Sequence, residues 1–203
     1  MLTVGVLALQ GGVAEHMAAL QGAARKSKME VRVKPVRTAA ELGGLDAIVL
    51  PGGESTTISK LLVHNGMMEK MRTIPAMFGT CAGLILMAKE ADGAEKGQQL
   101  IGVMDVKVSR NAYGSQAHSF EHNIGTAEFG KLHVIFIRAP KIVSTGAGVD
   151  VLASVDGEPA IVVQKSSSQF LMGATFHPEL TTTKVHEYFL KEAGKLIYCS
   201  PRK

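Results

Sequence analysis

The stretch Ala76-Met77-Phe78-Gly79-Thr80-Cys81-Ala82-Gly83-Leu84-Ile85-Leu86-Met87-Ala88 decides how this chain is read. Ala76–Phe78 has the character of a short buried strand, the Gly79–Gly83 run that of a tight turn, and the apolar residues after it that of a helix. Strand, Gly-x-Cys-x-Gly and helix in succession form a nucleophile-elbow pattern with cysteine in the place of serine. The glycines answer a steric need, since so sharp a turn brings neighbouring backbone against the residues that flank the nucleophile. The turn aims the thiol away from the core and sets Cys81 at a helix N-terminus, where a thiolate is favoured. It also leaves the Ala82 N–H free to meet an oxyanion. A lone cysteine is ordinarily a small buried apolar residue. The elbow makes Cys81 a candidate nucleophile, whereas Cys199, with no glycine elbow, reads as a bystander.

Outward from the elbow, the N-terminal half alternates apolar β-branched runs with helical patterns, the signature of βαβ units and a parallel sheet. Strands are expected over Thr3–Leu9, Val31–Val36, Ala47–Leu50 and Ala76–Phe78. Helices are expected over Val13–Lys26, Thr56–Asn65 and Met67–Arg72, and the capping-box pattern Thr38-Ala39-Ala40-Glu41 predicts the start of another short one. Beyond residue 100 the runs Leu100–Ser109, Phe120–Phe129, Val134–Arg138, Val149–Val155, Ile161–Lys165 and Phe170–Thr175 suggest mixed or antiparallel strands. They are followed by an amphipathic helix over Lys184–Ile197 that shows Val185, Tyr188, Phe189 and Leu196 on one side. No repeat or linker divides residues 1–203, so one α/β domain is expected. Ligands of such sheets sit beyond the carboxyl ends of the strands, which directs attention to the loops after Leu9, Leu50, Phe78 and Thr175.

Composition narrows the function classes. With 46% hydrophobic and 20% charged residues among 203, the chain has material for one large core and is not disordered. Two cysteines are too few and too far apart for a disulfide framework or a zinc site, so a reducing cytoplasm is expected and neither metal nor cofactor is. The net charge of +4 is mild. Its one concentration, Arg25, Lys26, Lys28, Arg32, Lys34 and Arg37, has no interleaved aromatic for base stacking and reads as a solvated helix end and strand edge, not a nucleic-acid surface. Met1–Leu9 reads as a buried strand, not a leader. The longest uncharged apolar stretch, Ala76–Ala88, is shorter than the ~20 residues that cross a bilayer, so no membrane span is expected.

A thiol nucleophile needs a base, and the base needs an orienting acceptor. His177 stands out among seven histidines because Phe176-His177-Pro178-Glu179-Leu180 follows a strand. In extended backbone residues i and i+2 point the same way, so His177 and Glu179 can face one cleft. The loop Pro51-Gly52-Gly53-Glu54-Ser55-Thr56 sets two glycines before a helix whose N-cap would be Ser55 or Thr56. Those glycines would let backbone N–H groups approach a developing oxyanion.

These residues closely resemble the class I glutamine amidotransferases, and among them the glutaminase components of pyridoxal 5'-phosphate synthases. The elbow and the His177-Pro178-Glu179 pair are general to the class. The narrower likeness rests on Gly5–Gly11 with Glu15-His16, Pro51–Thr56, Arg110-Asn111-Ala112-Tyr113-Gly114-Ser115-Gln116 with Ser119–Glu121, Ile137–Pro140 and Thr175–Leu180. The blocks span nearly the whole chain. The resemblance implies a flavodoxin-like three-layer sandwich, a mostly parallel central sheet flanked by helices, and hydrolysis of L-glutamine to glutamate and ammonia. It implies Cys81 as nucleophile, His177 as general base and acid, and Glu179 as the group orienting His177. It carries over Gly53, Glu54, Ser55, Arg110, Ile137 and Arg138 as substrate positions, and the backbone of Gly53 and Ala82 as oxyanion hole. Gln10 and Gly11 would belong to a segment that rearranges on docking. The implied partner is the synthase subunit that receives the ammonia, as a double-ring core carrying many glutaminases. Ser115 departs from the pattern, many relatives having arginine there. Stress-response proteins and small hydrolases of the same fold need no downstream His-Pro-Glu pair, a non-catalytic subunit would not need the intact triad, and the Arg110–Gln116 block argues against another acceptor pathway.

Overall fold

The computed structural model describes residues 1–110 and 119–199. The Asn111–Gln116 part of the arginine block, Ser115 included, lies outside the described residues, as do the Cys199 side chain, Arg202 and Lys203.

Seven strands form the central sheet: β1 (Leu2–Leu7), β2 (Val31–Val36), β3 (Ala47–Leu50), β4 (Ala76–Thr80), β10 (Val149–Val155), β11 (Glu158–Lys165) and β12 (Phe170–Ala174). Their order is β10-β11-β12-β4-β3-β1-β2. β2, β1, β3, β4 and β12 run parallel, and β11 and β10 add an antiparallel hairpin. The parallel part thus has the 2-1-3-4-5 order of flavodoxin-like sheets, whose switch point between first and third strands opens a crevice at the strand ends. Pro35 is tolerated because, among the described residues, β2 is an edge strand paired only with β1.

The parallel strands are apolar on both faces because both are covered, and the strand period of two sorts their side chains between two cores. Val4, Val49, Phe78 and Met172 pack with Leu20 and Ala23 of α1 (Val13–Lys26) and Phe189 and Leu190 of α5 (Lys184–Cys199). Ile48, Leu50, Met77 and Leu171 pack on the other face. There they meet α2 (Ser55–His64), α3 (Met68–Met71) and α4 (Ala82–Met87), joined by the small sheet of β5 (Ala88–Asp92), β6 (Met104–Ser109) and β9 (Lys141–Thr145). The hairpin of β7 (Phe120–Thr126) and β8 (Gly130–Phe136) closes the first core with Phe136 and Ile124. The mostly parallel, helix-flanked sandwich is therefore the fold that the sequence announced.

Several local expectations change. β1 ends at Leu7, not Leu9, and the chain turns at once into the crevice. No helix follows Thr38: Glu41 Oε2 accepts from the N–H groups of Arg37 and Thr38 at 2.6 and 3.0 Å, but Gly43 and the left-handed Gly44 (φ 72°) end the turn there. Ala88 belongs to β5, and β9 was not foreseen at all, because its lone buried residue, Ile142, leaves no alternation to read. Arg25 and Lys26 lie in the last turn of α1, where they complement the helix dipole, and Arg32 and Lys34 lie on the edge strand.

Candidate active site

Cys81 stands between β4 and α4 in a conformation that few L-residues adopt, φ 48° and ψ −107°. Such a residue costs on the order of 1–3 kcal/mol and persists only where its surroundings dictate it. Here they do. The Cys81 N–H donates to Ala174 O at 2.9 Å, tying the turn to β12. A Cβ on Gly79 would lie 2.5 Å from the backbone carbon of Gly83, and one on Gly83 would lie 2.1 Å from Leu50 O. Both elbow glycines are thus required by backbone neighbours. Cys81 Sγ rests 3.9 Å from Ile137 O, and Ala82, first in α4, has an N–H that no helical turn can use.

His177 reaches the same spot from β12 by a route unlike the extended one expected. It caps a short 3₁₀ turn, Pro178–Leu180, with φ −107° and ψ 80°, and its own N–H donates to Ile135 O at 3.0 Å. The turn, not a strand, folds Glu179 back so that its Oε1 accepts from His177 Nδ1 at 2.8 Å. Burial opposes charge on His177, but hydrogen bonding to Cys81 and then to Glu179 outweighs it and raises the imidazole to about 10. The Glu179 side chain is only 2% exposed. Burial alone would raise its carboxyl, yet the approach of His16 Nε2, 3.4 Å from Oε2, and the hydrogen bond with His177 hold it well below the usual range. His177 therefore keeps its Nδ1 proton on Glu179 and turns Nε2 to the thiol. A Cβ on Gly52 would come within 2.3 Å of the His177 ring and 3.3 Å of Cys81 Cβ, so the glycine there makes room for both.

A cavity of about 400 Å³ opens in front of these groups, lined by Gln10, Gly11, Gly12, Gly52–Ser55, Cys81, Ile85, Arg110, Ile137, Arg138 and His177. All the substrate positions named from the sequence meet here. Glu179 and Ala82 stand behind it, and Ile85, one turn into α4, is a wall residue that nothing in the sequence marked.

The N-cap of α2 is Glu54, not Ser55 or Thr56. Its Oε1 accepts from Thr56 N–H at 3.1 Å and its Oε2 from Thr57 N–H at 2.6 Å. The remaining acceptor sites take the Thr57 hydroxyl at 2.7 Å and Arg110 Nη2 at 3.0 Å. Burial works against the charge, but the Thr57 and Thr56 hydrogen bonds lower this carboxyl to about 2. Gln98, another residue the sequence did not single out, braces the arginine: its Oε1 accepts from Arg110 Nη1 at 2.7 Å and from the Thr56 hydroxyl at 3.1 Å. Arg138 lines the cavity with φ 45° and an exposed side chain.

Gln10 and Gly11 lie against the glycine loop. Gln10 Oε1 accepts from Glu54 N–H at 2.8 Å, and Gly12 N–H donates to Gly52 O at 3.3 Å. Gly11 has φ 102°, and a Cβ there would lie 1.8 Å from Gly52 O. The orientation of the Gly52–Gly53 peptide is therefore tied to the segment before α1. Among the described residues no cluster of His, Cys, Asp and Glu is arranged to hold a metal ion, and no helix is long and apolar enough to cross a membrane.

Known proteins resemble this chain in sequence and fold. A chain from Korarchaeum cryptofilum named pyridoxal 5'-phosphate synthase subunit PdxT is 43% identical over 94% of this chain and 98% of its own. One of the same name from Thermus thermophilus is 43% identical over 94% and 97%. A crystal structure of a glutamine amidotransferase, 42% identical, superimposes with a TM-score of 0.81 over 94% of this chain and 98% of that one. The family model for the SNO glutamine amidotransferases matches residues 6–195, from β1 to the last turns of α5. The chain belongs to the SNO glutamine amidotransferase family.

Proposed function

We propose that this chain is the glutaminase subunit of a pyridoxal 5'-phosphate synthase, one glutaminase domain over residues 1–203 that acts in a reducing cytoplasm. The observation that carries the reading is Cys81 on a strained elbow, sharing one cavity with a His177–Glu179 pair and with Arg110. The Cys81 sulfur, its proton already held at Nε2 of the His177 imidazolium, attacks the side-chain carbonyl carbon of L-glutamine as a thiolate. The oxyanion is met by the Ala82 and Gly53 N–H groups. As the C–N bond breaks, His177 returns the proton to the leaving nitrogen and ammonia departs, leaving a thioester. Water, deprotonated by the now neutral His177, then cleaves the thioester to glutamate, and the C–S bond breaks to restore the thiolate beside the His177 imidazolium.

Arg110 has the charge and fork geometry to grip the substrate α-carboxylate. Glu54, whose acceptor sites are already engaged by α2 and Arg110, holds that arginine in place and contributes negative charge near the α-ammonium. Ser55, Ile137 and Arg138 complete the walls. Protonated ammonia is no nucleophile, so the product is passed to the synthase subunit across a sealed interface, with a double-ring synthase core carrying the glutaminases. The tie between Gly12, Gln10 and the Gly52–Glu54 loop supports Gln10 and Gly11 as the segment through which docking completes the oxyanion hole.

The test is ammonia and glutamate release from glutamine by the chain alone, with the synthase, and with Cys81→Ala. Release that rises on adding the synthase and vanishes in the variant is expected. Full activity in the isolated chain would remove the activation segment from the reading, and activity in Cys81→Ala would remove the nucleophile.

A further inference from the structure

Behind the triad carboxylate lies a group of buried polar side chains that the reaction above leaves unused. His16 on α1 and His186 on α5 are fully buried, with the Phe78 ring 5.5 Å from that of His186. His16 Nδ1 is 3.0 Å from His186 Nε2. His16 Nε2 is 3.0 Å from Thr80 Oγ1 and 3.4 Å from Glu179 Oε2. Among the described residues Glu179 Oε2 has no well-aligned hydrogen-bond partner, and His186 Nδ1 has none either.

Two imidazoles in contact share one proton between the facing nitrogens, and the surroundings select its owner. If His16 donated from Nδ1, a neutral His186 would accept at Nε2 and carry its proton at Nδ1, a buried donor with no acceptor. His16 Nε2 would then accept from the Thr80 hydroxyl and offer no proton to Glu179 Oε2, 3.4 Å away. The opposite arrangement leaves only one lone pair unmatched, at His186 Nδ1, and is the cheaper one. His186 donates from Nε2, His16 accepts at Nδ1, and the His16 Nε2 proton points between Thr80 Oγ1 and Glu179 Oε2. Burial, the largest influence, pushes His186 down to about 3 against the pull of Glu179, so it stays neutral.

We propose that His186 and His16 are positioning residues for the triad. His186 fixes the tautomer of His16, and His16 presents its Nε2 proton to Glu179 Oε2, so that the buried carboxylate stays ionised with Oε1 turned to His177. The inference rests on the triad reading of Cys81, His177 and Glu179. It also gives α1 a second connection to the chemistry. The helix that carries His16 begins directly after Gly12, whose N–H holds the Gly52 carbonyl, so the glycine loop and the triad carboxylate share one support.

Ring-nitrogen NMR on the intact, histidine-labelled chain at neutral pH tests the relay without any substitution. Both His16 and His186 are expected as neutral rings protonated at Nε2. A His16 protonated at Nδ1, or at both nitrogens, would overturn the proposal. Glutamine hydrolysis with the synthase present supplies the second readout. His16→Leu is expected to lower kcat by about tenfold or more with KM little changed, and His16→Gln, which keeps a donor near the Nε2 position, to recover most of it. Equal losses in both variants, or an unaffected His16→Leu, would refute the positioning role. If the unaltered chain hydrolyses no glutamine, the proposed function falls, while the ring-nitrogen measurement still decides the relay.

Discussion

Gly83→Ala isolates what the elbow geometry is worth. A Cβ on Gly83 would sit 2.1 Å from Leu50 O and 2.8 Å from Leu50 C, both backbone atoms of β3 that no rotamer change can move. Restoring an ordinary contact requires α4 to retreat from β3 by roughly 1 Å. Overpacking of a core costs about 1–3 kcal/mol, and a fixed backbone obstacle places this variant at the upper end, about 3 kcal/mol. In a chain of this size that lowers Tm by roughly 6–12 °C. The retreat also carries the Ala82 N–H and Cys81 with it, and a displacement of ~1 Å at reacting groups can cost about a hundredfold in rate. Denaturant unfolding and glutamine hydrolysis with the synthase read the two effects. Gly148→Ala is the control, since its Cβ would meet nothing within 4 Å, and it is expected to change stability by less than about 0.5 kcal/mol. A Gly83→Ala protein with native stability and native rate would refute the claim that the β3–α4 contact sets the elbow.

Further outcomes follow from the charged groups. His177, held near 10 by Cys81 and Glu179 against burial, is expected to remain an imidazolium through pH 8, and in Cys81→Ala to titrate lower, measured by NMR of its ring. Its raised value means that the stability it adds is complete below its ordinary value near 6.5 and lost as pH rises through about 10. Glu54→Gln removes an anionic helix cap and should cost about 1 kcal/mol at pH 7 by denaturant unfolding. Because the Glu54 carboxyl is lowered from 4.5 to about 2, that difference should fade as pH drops between those values. Arg110→Lys should raise KM for glutamine by about tenfold or more, while alkylation of Cys81 by iodoacetamide, which has no α-carboxylate, keeps its rate.

The sheet, the elbow and the His177–Glu179 pair were legible in the sequence because each rests on local signals. Strands buried on both faces read as continuous apolar runs, and Gly79 and Gly83 mark a turn that only glycine permits. What stayed hidden depends on contacts between distant segments. Gln98 looks like any polar residue, and His16 carries no role beyond its place in the family likeness, until α1 is laid beside Glu179 and the 93–100 loop beside Arg110. Glu54 was read one residue away from the helix cap it supplies, because Ser55 and Thr56 are as suited to capping by composition. His177 and Glu179 were paired for the wrong local reason: the proline between them makes a 3₁₀ turn, and the turn, not an extended strand, joins the two side chains.

The central claim is that Cys81 is the nucleophile toward glutamine. Mass spectrometry after incubation with a diazoketone analogue of glutamine, with the synthase present, tests it most directly. One adduct per chain on Cys81, none on Cys199, and protection by excess glutamine are expected. Adducts on Cys199, or an unmodified Cys81 in an otherwise native complex, would contradict it.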